Sequence, residues 1–291
     1  MRNFILICLA VLISQTSFAQ ESVEEVQIEI EAQEEAPKIE VKEYLNLSYG
    51  PHARHALDVY VPENAKNAPI LFMVHGGAWR IGDKASKGFV EKKLGKWAQE
   101  GFIVVSTNYR FLPTLPYNQA QDVRNALHYV QENAHKWNAN PNKVILLGHS
   151  AGAHLVGLVN TNPKLSYRLG VKPWLGAVLL DSAALDVVKL MKEPHARLYD
   201  KAFGSKLYVW RKSSPYHQLT SEAKPMALVC SEKREESCAQ TLAFARQADT
   251  FGVETRIIER MLSHSQINTR LGDEGEYTDL VDDFIQSLLK R

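Results

Sequence analysis

Lys143-Val-Ile-Leu-Leu-Gly-His-Ser-Ala-Gly-Ala-His-Leu155 (KVILLGHSAGAHL) decides how the rest of the chain is read. Lys143 to Leu147 is a short apolar, β-branched run, as expected of a strand buried on both faces. Gly148-His149-Ser150-Ala151-Gly152 follows it and opens a helix that continues to about Val159. A turn this sharp brings backbone atoms close together, so small residues must flank it. It also lifts the Ser150 hydroxyl above the strand end, beside a helix N-terminus. The G-x-S-x-G pentapeptide alone recurs by chance, and an ordinary turn with a serine N-cap is its plain alternative. The strand before it and the helix after it argue against that alternative.

Working outward, the same rhythm repeats. Leu57 to Val61 alternates and stops at Pro62, and Pro69 to Val74 and Phe102 to Thr107 are continuous apolar runs. A helix is expected from about Gln119 to His135. Further strands are expected at Leu175 to Leu180, Pro225 to Cys230 and Glu254 to Glu259, with an amphipathic closing helix over Tyr277 to Leu289. Strands alternating with helices define an α/β fold with a mostly parallel sheet covered on both faces. Residues 183–220 interrupt the rhythm, as an insertion above the strand ends that forms a lid or a pocket wall would do.

Two further features accompany Ser150. His75-Gly76-Gly77 stands directly after the strand ending at Val74, where backbone N–H groups can approach a substrate carbonyl oxygen. Gly77, Ala78 and Ala151 are the expected oxyanion donors. His75, Gly76, Trp79 and His149 are expected to line the pocket, with Trp79 packing the loop. Among the 10 histidines, His264 falls after the last strand and before the closing helix, where a general base for Ser150 should arrive. The third member, an acid to orient the imidazole, is expected after the strand ending at Cys230. That segment reads Ser231-Glu-Lys-Arg-Glu-Glu-Ser237 and carries no Asp. Glu236 is favoured, just before a helix start suggested by the capping-box spacing of Ser237 and Gln240. Glu235 and Glu232 come next, with Asp181 and Asp186 after the preceding strand as alternatives.

The remaining composition bounds the setting. Across 291 residues the formal net charge is +1, with 45% hydrophobic and 23% charged residues. That balance gives no basic excess for nucleic acid. Arg2, the apolar run Phe4 to Ile13 and Ser17-Phe18-Ala19 read as an export signal over residues 1–19, too short to span a bilayer. No stable membrane insertion is expected. Residues 20–43 are Glu-rich and read as a solvated linker, leaving residues 44–291 as the folded domain. Cys8 would leave with the signal. Cys230 and Cys238 would then form one disulfide in an oxidising compartment, or remain two buried thiols.

With these residues in place, the chain resembles the esterase branch of the α/β-hydrolases that includes kynurenine formamidase and bacterial carboxylesterases. The resemblance rests on Leu57-Asp58-Val59-Tyr60, His75-Gly-Gly-Ala-Trp79, Asn108-Tyr109-Arg110, Asp122, Gly148 to Leu155, and His264 with Ile267-Asn268. It implies Ser–His–acid acyl transfer on a small ester, through an acyl-enzyme and with no metal or organic cofactor. An arylformamidase, and a non-catalytic binding protein on the same scaffold, are the competing functions. The Glu-rich segment between the two cysteines is where this chain departs from the family pattern.

Overall fold

The computed structural model describes residues 40–291. Eight strands form one sheet in the order β1-β2-β4-β3-β5-β6-β7-β8. They are β1 (Val41–Ser48), β2 (Ala56–Pro62), β3 (Ala68–Val74), β4 (Ile103–Thr107), β5 (Ala139–His149), β6 (Gly176–Leu180), β7 (Met226–Ser231) and β8 (Thr255–Arg260). β1 pairs with β2, and β2 with β4, in antiparallel fashion. All pairs from β4 to β8 are parallel. The helices begin with α1 (Lys87–Gln99), α2 (Pro116–Asn133) and α3 (Ala151–Thr161). The short α4 (Lys164–Tyr167) is followed, after β6, by α5 (Val187–Lys192), α6 (Arg197–Phe203), α7 (Leu207–Lys212) and α8 (Pro215–Gln218). α9 (Glu235–Thr250), α10 (His264–Thr269) and α11 (Glu276–Leu289) complete the chain. This is an α/β-hydrolase fold.

The apolar runs fall in the sheet interior because both faces are covered. Along β3, Ile70, Phe72 and Val74 enter the core on one face with Val123, Leu127 and Leu155. Leu71 and Met73 enter the other with Trp97, Phe284 and Ile285. The period of two of a pleated strand therefore feeds two cores at once.

β1 departs from the sequence reading. Val41, Lys42 and Glu43, assigned to the end of the linker, pair with Pro62, Val61 and Tyr60. The strand lies at the sheet edge with five of its eight residues exposed. Its polar composition is that of an edge rather than of a linker. The expected export signal (1–19) and the linker up to residue 39 lie outside the described residues.

Strand register sets the site. Gly148 pairs with Val74 on one side and Leu179 on the other, and His149 pairs with Leu180. The next residues of three strands, His75, Ser150 and Asp181, thus emerge together at the carboxyl edge. There the chain order reverses between β3 and β5, the switch point at which open parallel sheets bind ligands. The turn into α3 leaves no space at Gly152, where a Cβ would lie 2.1 Å from the Val74 carbonyl oxygen. Gly152→Ala should therefore lower stability by about 1–3 kcal/mol, the usual cost of overpacking, and displace Ser150. An unchanged urea midpoint would contradict that packing.

Candidate active site

Ser150 has φ 57° and ψ −119°, a strained backbone for a non-glycine residue. The conformation is held by Ser150 N donating to Leu180 O (2.8 Å) and by His154 N donating to Ser150 O (3.1 Å). It presents Oγ to His264 Nε2 at 2.9 Å. His264 is the first residue of α10. Ser263 caps that helix, its Oγ accepting from Gln266 N (3.2 Å) while Gln266 accepts from Ser263 N (2.9 Å). The fully buried Lys93 donates to Asn268 O (2.6 Å) and Oδ1 (3.0 Å) at the other end of α10. His149 fixes the near end. Its Nε2 donates to His264 O (3.0 Å), and the two rings lie 4.5 Å apart.

The carboxylate on the far side of His264 belongs to Asp181, whose Oδ2 is 2.5 Å from Nδ1. This corrects the assignment of Glu236. Glu236 sits in the first turn of α9, its side chain 61% exposed and paired with Arg234 Nε at 3.2 Å. Glu235 and Glu232 are also exposed. Asp186 instead caps α5, accepting from Lys189 N. α9 begins at Glu235 with Arg234 as N-cap, so Ser237 is no capping-box serine. Its Oγ donates to Asp181 Oδ1 at 2.5 Å.

Asp181 is fully buried. Burial alone would raise its pKa, but hydrogen bonds from His264, Ser237 and Ser231 N, with the charge of Arg234, hold it well below the usual carboxylate range. Ser231 N donates to Oδ1 at 2.9 Å and Arg234 Nη1 to Oδ2 at 2.7 Å. The residues that surround Asp181 from this loop are bracketed by the Cys230–Cys238 disulfide. That is the bridge expected from sequence, and it excludes the cluster of Cys230, Cys238 and Glu259 as a metal site.

The loop after β3 completes the site. Gly77 (φ 121°) is left-handed, and Ala78 and Trp79 follow at φ 49° and 59°. A Cβ at Gly77 would lie 2.0 Å from Ile81 O. Tyr109 Oη donates to His75 O (3.0 Å), and Gln119 Nε2 and Leu112 N donate to Trp79 O (2.9 and 3.0 Å). The Asn108-Tyr109-Arg110 segment therefore supports the glycine loop. The amides of Gly77, Ala78 and Ala151 have no acceptor among the described residues. Trp79 is buried, its Nε1 donating to His154 Nδ1 at 3.1 Å, which directs the His154 Nε2 proton to Ser213 O at 2.6 Å. These two bonds tie the loop, α3 and the segment before α8 together.

A cavity of about 560 Å³ joins these groups. His75, Gly76, Gly77, Ala78, Trp79, His149 and Ala151 all line it with Ser150, His264 and Asp181. The sequence reading missed Phe89, Ile81, Leu198, Tyr199 and Arg234, which line it too. Leu198 and Tyr199 come from α6, within the insertion foreseen over residues 183–220 as a lid or a pocket wall.

Fold and site together define an α/β-hydrolase with a serine–histidine–aspartate relay. The chain belongs to the BD-FAE family, whose model matches residues 57–235. It is 35% identical over 109 residues to a probable isoprenylcysteine alpha-carbonyl methylesterase of Oryza sativa subsp. japonica, covering 37% of this chain and 26% of that protein. It is 27% identical over 197 residues to the esterase LipC of Mycobacterium tuberculosis, covering 62% and 48%, and 29% identical over 150 residues to a kynurenine formamidase of Salmo salar, covering 50% and 48%. The matches thus span less than half the length of these relatives. A truncated carbohydrate esterase from gut microbiota superposes with a TM-score of 0.72 at 18% identity, covering 88% of this chain and 99% of that one. Esterase B from Lactobacillus rhamnosis gives 0.68 at 19%, covering 88% and 87%. At such identities the likeness is one of fold.

Two predictions follow from the site's electrostatics. Asp181→Asn should lower kcat by about 10³–10⁴-fold with KM little changed, as loss of a triad carboxylate does, whereas Glu236→Gln should stay within about threefold of wild type. The reverse ranking in steady-state kinetics would restore Glu236. The second concerns acid. Burial lowers His75 to about 4, His149 to about 3 with help from His264, and His154 to about 4. Unfolded imidazoles titrate near 6.5, so from about pH 6.5 down to about 4 the unfolded chain binds more protons than the folded one. The stabilisation is complete above that window and lost as pH falls through it, with a slope approaching about 1.4 kcal/mol per pH unit for each histidine. Urea midpoints at pH 7 and pH 5 should differ accordingly, and equal midpoints would refute the assignment of neutral buried rings.

Proposed function

We propose that this chain is a serine carboxylesterase that cleaves small esters through an acyl-enzyme. The observation that carries the reading is the unbroken relay from Ser150 Oγ to His264 Nε2 and from His264 Nδ1 to Asp181. It runs beside three amides that have no acceptor among the described residues, in a cavity of ester size. The carboxylate fixes the tautomer with the proton on Nδ1, leaving Nε2 free to accept. Ser150 Oγ attacks the acyl carbonyl carbon as Nε2 takes its proton. The carbonyl oxygen becomes an oxyanion held by the amides of Gly77, Ala78 and Ala151, each such donor contributing about 3 kcal/mol. Collapse breaks the ester C–O bond, and the imidazolium returns its proton to the departing alkoxide. Water then repeats the sequence on the acyl-enzyme and releases the acid.

The walls favour short chains. Phe89, Ile81, Leu198 and Tyr199 supply apolar surface, and Trp79 and His149 line the same cavity. We place the protein outside the cytoplasm, a reading supported by the apolar segment 4–13, the Ser17-Phe18-Ala19 site and the Cys230–Cys238 bridge. Chromogenic esters of rising acyl length, run beside N-formylkynurenine, test the substrate class. Short acyl esters should be turned over fastest, and Ser150→Ala should abolish turnover while the protein stays folded. Cleavage of N-formylkynurenine in preference to every ester would replace the esterase by an amidase, and full activity in a folded Ser150→Ala variant would remove the mechanism.

A further inference from the structure

Arg234 stands in the loop after β7, where the fold usually carries its acid, and its guanidinium touches both partners of the relay. Nη1 is 2.7 Å from Asp181 Oδ2 and 2.7 Å from His264 Nδ1. Two proton arrangements compete. In one, Nδ1–H and Arg234 both donate to Oδ2. In the other, Arg234 donates to a bare Nδ1, and the proton moves to Nε2, where it blocks the base. The 2.5 Å separation of Nδ1 and Oδ2 decides between them. A carboxylate oxygen and a bare ring nitrogen would meet lone pair to lone pair at that distance, so a proton lies between them. Arg234 therefore does not hydrogen-bond the imidazole. It places a full cation against Nδ1 while sharing the same oxygen.

We propose that Arg234 is a positioning residue of this relay, which completes the donor set around Asp181 and holds the shared Oδ2 against His264 Nδ1. The proposal rests on the esterase reading of the same site. A buried carboxylate keeps one orientation only while its oxygens are occupied, and among the described residues Oδ2 has Arg234 and His264 as its two donors. The other charged and titratable groups around His264 are few. Asp181 faces Nδ1 from the end of β6, and His149 lies against the ring, tilted by 36°, from the end of β5. Glu236 binds Arg234 Nε from α9, and Tyr199 shares the cavity wall with Arg234 from α6. Lys93 of α1 lies at the opposite end of α10. Substituting Arg234 removes one donor to Asp181 and the partner of Glu236, and leaves the other three donors to Asp181 in place.

The test reads the maximal rate and the half-saturating probe concentration with which a fluorophosphonate labels Ser150 in the full chain at neutral pH. That readout needs no knowledge of the substrate. Arg234→Gln should lower the maximal labelling rate by about tenfold with the half-saturating concentration unchanged, and Arg234→Lys, which keeps a charged donor, should restore most of that rate. Arg234→Met is the neutral substitute if the Gln variant does not fold. A maximal rate unchanged in both neutral variants overturns the proposal, as does a rate that falls in Arg234→Lys as far as in Arg234→Met, since a charged donor would then do no more than a neutral side chain. Wild-type protein that takes no label would instead overturn the hydrolase reading on which the proposal stands.

Discussion

Gly148 pairs with Val74 of β3 on one side and with Leu179 of β6 on the other, and nearly everything about the site depends on that register. Parallel neighbours in register leave the sheet at one level. The three connections that follow β3, β5 and β6 therefore begin side by side. A glycine loop, a nucleophile and a carboxylate need no long side chains to meet there. A slip of one residue in β5 would turn every side chain to the opposite face of the sheet. Two apolar cores resist that slip, because both faces of each central strand are already buried.

A fully buried carboxylate is tolerable only if its oxygens are occupied. Asp181 receives four donors, two on each oxygen. Three of them come from one stretch, Ser231 to Ser237, whose ends are joined by the Cys230–Cys238 bridge. The bridge pins the segment between β7 and the first turn of α9, and that segment is the environment of the acid. The disulfide thus acts on the chemistry through Asp181, although it contains no member of the relay.

The central strands, the serine turn, the glycine loop and His264 were legible because each rests on local chemistry: a buried apolar run, an unavoidable small residue, a position in chain order. β1 was not, because an exposed edge strand carries no apolar run to announce it. The acid was misread for a different reason. Chain order places it after β7, and the carboxylates there are abundant, but Glu232, Glu235 and Glu236 sit among Lys233 and Arg234 in the mixed-charge pattern of a solvated loop. Asp181 stands alone in Ala-Val-Leu-Leu-Asp-Ser-Ala-Ala, a single charge in apolar and small surroundings. Such a residue must be buried, and a buried Asp must have partners. That signal was present in the sequence. The partners were not, since the spacing of Ser231, Arg234 and Ser237 acquires meaning only when β7 and α9 are placed beside the end of β6.

Moving the acid to β6 also explains why an arginine can occupy the place after β7. β6 is the direct neighbour of β5, so an Asp at its end reaches the imidazole with a short side chain. β7 lies one strand further away, and a group projecting from its loop reaches the same point only with length, which Arg234 has. An acid at both positions would put two carboxylates against one ring, and like charges so close cannot both remain ionised. With Asp181 and Arg234 the pair is neutral at rest. Attack by Ser150 then creates an imidazolium and an oxyanion together, so the net charge of the buried site does not change along the reaction. The relocation of the carboxylate and the appearance of the guanidinium are one electrostatic solution.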